Sequence, residues 1–143
     1  MKVAFLILTG MLTTGSIVSA HHSSSAYIDT SRMVRITGKI TKVEWTNPHI
    51  WIAVNGTDTE GKVGDWRVEA AAPGALYKAG IEKNLIPIGV AVAVEGNPAK
   101  EPCRLLMNGL ILILPDGRKL DIHDRWPENA IRIQVPQPSG SQR

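Results

Sequence analysis

Cysteine occurs once in this 143-residue chain, phenylalanine once and tyrosine twice. With a single thiol, Cys103, the chain can close no disulfide within itself and can build no cysteine-based zinc or iron–sulfur centre. Aromatic residues make up 5% of the sequence, so a core has to be assembled from Val, Ile, Leu and four tryptophans. No apolar run approaches the roughly twenty residues that a membrane-spanning helix requires. Charge is sparse and mixed, 16 basic against 13 acidic side chains for a net of +3. No run of Lys or Arg is dense enough to neutralise several phosphates at once, which argues against nucleic acid as a partner. A Gly-x-Ser-x-Gly elbow and a glycine-rich phosphate loop are both missing, which removes two common routes to catalysis. Length and composition together describe one globular domain.

The chain opens with Lys2, an apolar stretch from Val3 to Leu8 followed by Met11-Leu12, and the small residues Val18 and Ala20 at the −3 and −1 positions. That order is expected of a secretory signal peptide over residues 1–20, placing the protein in the periplasm or outside the cell with no membrane span in the mature chain. Cleavage would leave 123 residues with 15 basic and 13 acidic side chains, net +2, beginning His21-His22-Ser23. In an oxidising compartment a lone thiol is expected to be buried, and Cys103 stands just ahead of the apolar Leu105-Leu106-Met107.

Residues 21–32 carry no period and read as an irregular, histidine-containing arm. From Met33 the pattern is that of β-structure. Val34, Ile36 and Ile40 alternate with polar residues, Gly38 interrupts the set, and parity then switches so that Val43 and Trp45 fall on the other face, the signature of a bulge or bend. Thr46-Asn47-Pro48 makes a turn. A second strand from His49 to Asn55 points Ile50, Ile52 and Val54 one way and His49, Trp51 and Ala53 the other. Residues 56–61 read as a hairpin loop. A third strand, Val63 to Ala70, sends Trp66 and Val68 inward and Asp65, Arg67 and Glu69 outward. Pro73 opens a short helix through Lys78 that Gly80 closes. A fourth strand carries Val90, Val92 and Val94 and ends at Gly96-Asn97-Pro98. The fifth runs from Leu105 to Leu114 with a break at Asn108-Gly109, and the sixth from Lys119 to Ile122. Three strands, one helix and two or three further strands predict a mainly β fold with one short helix, a small OB-like Greek-key barrel over residues 33–126. A twisted α+β sandwich is the alternative. Residues 127–143 form a C-terminal tail, disordered towards its Pro-, Ser- and Gln-rich end.

The histidines carry the chemistry. An N-terminal His21 would offer its α-amine and Nδ1 as a chelate, and a third nitrogen from His22, His49 or His123 would complete the planar set that favours Cu(II) or Ni(II). Solvated histidines in an exposed arm are the plain alternative. His49 shares its outward face with Trp51, and the neighbouring strand adds Arg67 and Glu69, so four interaction-capable side chains form one candidate ligand or partner surface. Catalysis would need a cluster drawn from Glu44, Glu69, Glu95 and Asp121; surface positions are their default, and the balance lies against an enzyme.

Several stretches resemble one family: His21-His22-Ser23 with Tyr27 and Asp29, Gly38-Lys39-Ile40 through Val43-Glu44-Trp45-Thr46-Asn47-Pro48-His49, Trp66-Arg67-Val68-Glu69 before Pro73-Gly74-Ala75-Leu76, and Leu114-Pro115-Asp116-Gly117-Arg118-Lys119. Together they are similar to an uncharacterised family of small exported bacterial proteins, domain of unknown function 6152. The resemblance implies an exported, barrel-like β protein and marks His21, His22 and His49 as motif positions; it implies no activity. The chain departs from the pattern at Lys100-Glu101-Pro102-Cys103-Arg104, where a glycine-containing turn is expected. The function expected on these grounds is a periplasmic binding protein holding a metal ion, copper, through His21, His22 and His49. The alternative is a protein-interaction module that uses the outer face of strands two and three without metal.

Overall fold

A computed structural model describes residues 26–123; the expected signal peptide, His21, His22 and the tail from 127 lie outside the described residues. Strands β1 (Val34–Glu44), β2 (Trp51–Asp58) and β3 (Val63–Glu69) precede helix α1 (Pro73–Lys78) and a 3-10 turn (Lys83–Leu85). Strands β4 (Ala91–Pro98), β5 (Leu106–Ile113) and β6 (Lys119–Asp121) follow. The strands hydrogen-bond in the order β3-β2-β1-β4-β5-β6. A parallel pairing of β3 with β5, Arg67 opposite Leu106 and Glu69 opposite Asn108, closes the first five into a barrel. This closure makes the fold a small OB-like barrel rather than an open sandwich. No helix among the described residues is long and apolar enough to cross a membrane.

Alternation fills the barrel as the sequence predicts. Ile36, Ile40, Ile50, Ile52, Val54, Trp66 and Val68 point inward and are buried, joined by Val94, Met107 and Leu112 from β4 and β5. Each fully buried aliphatic side chain stabilises the fold by about 1.5–3 kcal/mol relative to exposure. Helix α1, with Gly80 in the left-handed conformation just beyond it, sets Leu76 into the same core, and Ile81 and Ile86 follow.

The bend in β1 comes from two features. Thr41 has no register partner on β2, because the register steps from Ile40 opposite Val54 to Lys42 opposite Ala53. That extra residue is the bulge the parity switch predicts, but its effect is to return Val43 and Trp45 to the core side, where both pack against it. Gly38 faces Gly56 across the β1–β2 ladder. A Cβ on Gly38 would lie 2.2 Å from the Asn55 carbonyl oxygen, and one on Gly56 would lie 2.4 Å from that of Thr37. Gly56 is therefore a strand residue at a close backbone approach. The expected hairpin loop over 56–61 shortens accordingly, with β2 continuing to Asp58.

The arm docks. Ile28 forms an isolated antiparallel bridge with Ala99 and is 1% exposed. The backbone N–H of Asp29 donates to the Pro98 carbonyl and that of Lys100 to the Tyr27 carbonyl, at 2.9 and 3.0 Å. Ile28, Ala99 and Leu106 form a second small core outside the barrel, with Tyr27 and Trp51 packed against it. Cys103 departs from expectation: it is exposed. The apolar run that was to bury it enters β5 only at Leu106, while Cys103 stays in the surface turn after Pro102.

Candidate functional site

The outer face of β1–β2–β3 is laid out by register. One cross-strand row reads Glu44–Trp51–Glu69 and the next Lys42–Ala53–Arg67. His49 stands just before β2, after the cis Asn47–Pro48 peptide, and Trp45 on the other side of this turn stacks on Tyr77 of α1 with ring centroids 5.6 Å apart. The paired backbone of Ile50 extends the β2–β3 ladder towards His49, its N–H donating to the Ala71 carbonyl and its carbonyl accepting from Ala70. His49 is thereby fixed beside the end of β3.

Glu69 is the centre of the site. Alternation places it outward, yet it is 5% exposed, because the docked arm covers it. Its Oε2 accepts a hydrogen bond from the Tyr27 hydroxyl at 2.8 Å, and its Oε1 lies 2.5 Å from His49 Nδ1. A buried carboxylate needs such donors, and here one comes from the arm and one from the turn. Burial pushes the Tyr27 hydroxyl up to about 12. The hydrogen bond to Glu69 and its negative charge act in the same direction, and Arg104, whose guanidinium lies 5.9 Å from the Tyr27 ring centroid, opposes them. Tyr27 therefore stays a donor across the neutral range.

With Nδ1 facing Glu69, the nitrogen His49 has left to offer is Nε2, and its side chain is 36% exposed. A carboxylate holding one imidazole nitrogen fixes the orientation of the ring, which is how metal-binding histidines are commonly supported. Among the described residues no three His, Cys, Asp or Glu side chains gather to hold a metal ion. His21 and His22, the other two expected ligands, lie outside the described residues. His123 follows β6, where its backbone N–H donates to Asp121 Oδ1 at 3.1 Å.

Trp51 and Arg67 come together, the guanidinium lying over the indole at 4.4 Å. Both line a groove of about 340 Å³ with Lys42, Glu44, Ile52 and Ala53. Glu44 is held below the usual carboxylate range by its hydrogen bond to Lys42. Each carboxylate that catalysis would need is engaged by its own partner. Glu44 pairs with Lys42 and Arg67, Glu95 with Arg35 at 3.4 Å, Asp121 receives the His123 N–H, and Glu69 is buried under the arm.

Strand parity in the sequence points to His49, Trp51, Arg67 and Glu69 on one face; it does not point to Tyr27 or Arg104. The signal available for Tyr27 was the apolar Tyr27-Ile28 pair in an otherwise polar arm. Nothing local marks Arg104, which reaches the site through the β4–β5 turn.

The sequence model of a family described as one of unknown function (DUF6152) matches residues 10–106. No curated protein and no solved structure matches the chain.

Proposed function

The chain belongs to DUF6152, a family of unknown function, and from the geometry of its site we propose that it is an exported, non-enzymatic binding protein that holds a copper ion through His21, His22 and His49. The observation that carries this reading is the Glu69–His49 contact, which commits Nδ1 and leaves Nε2 as the ligand nitrogen. Tyr27 supports it. Its hydroxyl ties the arm to the same carboxylate, and the six residue steps from it back to His21 span at most about 20 Å. A chain of that length can bring both arm histidines to His49. Processing after Ala20 would free the His21 α-amine, and amine, imidazole and imidazole form a nitrogen set suited to Cu(II).

The test compares purified protein beginning at His21, its start verified by intact mass, with protein carrying one additional residue before His21. The processed form is expected to bind Cu(II) with sub-micromolar affinity by calorimetry, on the order of 10⁻⁷ M or about 9–10 kcal/mol. The extended form and His49→Ala should each bind at least tenfold more weakly. Equal affinity in all three refutes the reading. Metal-independent capture of a partner that Arg67→Ala abolishes would favour the interaction module instead.

A further inference from the structure

Strand β6 ends the sheet and pairs with β5 alone, whereas β3, at the other end of the order, closes onto β5. The phase of the β6 backbone follows from the bonds on either side of it. The Leu114 N–H donates to the Arg118 carbonyl and the Ile122 N–H to the Leu110 carbonyl, both at 2.9 Å. In an antiparallel ladder Leu120 therefore turns its groups to β5, and Lys119 and Asp121 turn theirs to the open side. No backbone partner meets them there among the described residues. On the outer face the two side chains stand opposite Ile113 and Ile111 of β5, which are half-buried and pack against neither core. Neither the Lys119 ammonium nor the Asp121 carboxylate has an ion-pair partner among the described residues. Asp121 accepts the His123 backbone N–H, a bond that leaves its charge uncompensated.

We propose that this edge binds a second copy of the chain, β6 pairing antiparallel with β6 about a two-fold axis at Leu120. A lysine on a strand edge ordinarily keeps other strands away. Here the two-fold arrangement sets Lys119 of each copy opposite Asp121 of the other, so the charge that repels a foreign edge is matched by its own. The backbone agrees with that register. Lys119 and Asp121 are the residues whose N–H and C=O groups face outward, and residues directly opposed in this phase exchange both bonds. Leu120, 3% exposed, keeps its side chain in the barrel core. Across the outer face the row then runs from Ile113 and Lys119 of one copy to Asp121 and Ile111 of the other, with apolar surface on either side of each ion pair. An edge of 3 residues makes a small interface, of the weak and reversible kind. The proposal does not rest on copper.

Sedimentation equilibrium is run on protein beginning at His21, with chelator and reductant present so that neither metal nor the exposed Cys103 links copies. Wild-type protein is expected to dimerise with a Kd on the order of 10⁻⁴ M. Lys119→Glu and Asp121→Lys, both on the outer face, should each weaken association at least about tenfold, because the two-fold axis makes every substitution act twice. An equimolar mixture of the two variants should associate as the wild type does, since each chain then meets its opposite charge. Wild-type protein that stays monomeric at about 1 mM, as it would if the residues beyond 123 covered this edge, overturns the proposal. So do single variants that associate like the wild type, or a mixture no more associated than its components. Because no metal is present, neither outcome bears on the copper reading, and failure of the copper reading leaves this result standing.

Discussion

Replacing Tyr27 by Phe removes one oxygen and keeps the ring that packs against Ile28, Ala99 and Leu106. The lost hydrogen bond is the one to Glu69 Oε2, and it is charge-assisted, a class contributing about 1.5–3 kcal/mol. Tyr27 is itself half-buried, so water can replace part of the bond from its side. The carboxylate has less recourse, since the Glu69 side chain is only 6% exposed. A loss of about 1.5 kcal/mol is therefore expected, lowering the melting temperature of a domain of this size by roughly 6–10 °C. Thermal unfolding followed by circular dichroism reads that shift. The double variant with Glu69→Gln checks its origin: if the two residues act through one bond, their effects should fall short of additive by about 1 kcal/mol. A Tyr27→Phe protein with wild-type stability, or two strictly additive substitutions, would refute the claim that this hydroxyl anchors the arm to the barrel.

Three more outcomes follow from the same structure. The Tyr27 hydroxyl is pushed up to about 12 from about 10 in the unfolded chain. The neutral form is thus favoured by folding, and this contribution to stability is fully present below pH 10 and fades as pH rises through 12; ultraviolet titration should show a tyrosine step near 12 that Tyr27→Phe removes. Gly56→Ala should destabilise the barrel by about 3 kcal/mol in urea unfolding, because the new methyl would sit 2.4 Å from the Thr37 carbonyl oxygen and both neighbours are backbone. Exposed Cys103 should react stoichiometrically with a thiol reagent in native buffer, at a rate little changed by denaturant, whereas a buried thiol would react only on unfolding.

Much of the site was legible because strand parity is a local property. Ile50, Ile52 and Val54 against His49, Trp51 and Ala53, and Trp66 and Val68 against Arg67, sort by alternation alone, and the bulge at Thr41 announced itself as a parity change. What was not legible depends on residues remote in sequence. Gly56 looks like a turn former; its actual role, close approach to Gly38, is visible only once β1 and β2 are paired. Glu69 falls on the outward face as expected, but its burial needs the arm to fold back through the Ile28–Ala99 bridge. The neighbours of Cys103 mislead: three apolar residues follow it closely, yet the strand that buries Leu106 and Met107 starts beyond the turn that exposes the thiol. Barrel closure itself rests on the parallel β3–β5 pairing, which leaves no mark in either strand.

The central claim, that Glu69 holds His49 so that Nε2 completes a copper site with the arm histidines, is tested most directly by electron paramagnetic resonance of Cu(II) on protein beginning at His21, compared with His49→Ala and Glu69→Gln. The account predicts nitrogen couplings in the wild-type spectrum of which His49→Ala removes one. Glu69→Gln should keep the same nitrogen count with weaker affinity, because the imidazole remains but its orientation is less firmly held. A wild-type spectrum indistinguishable from that of His49→Ala would contradict it.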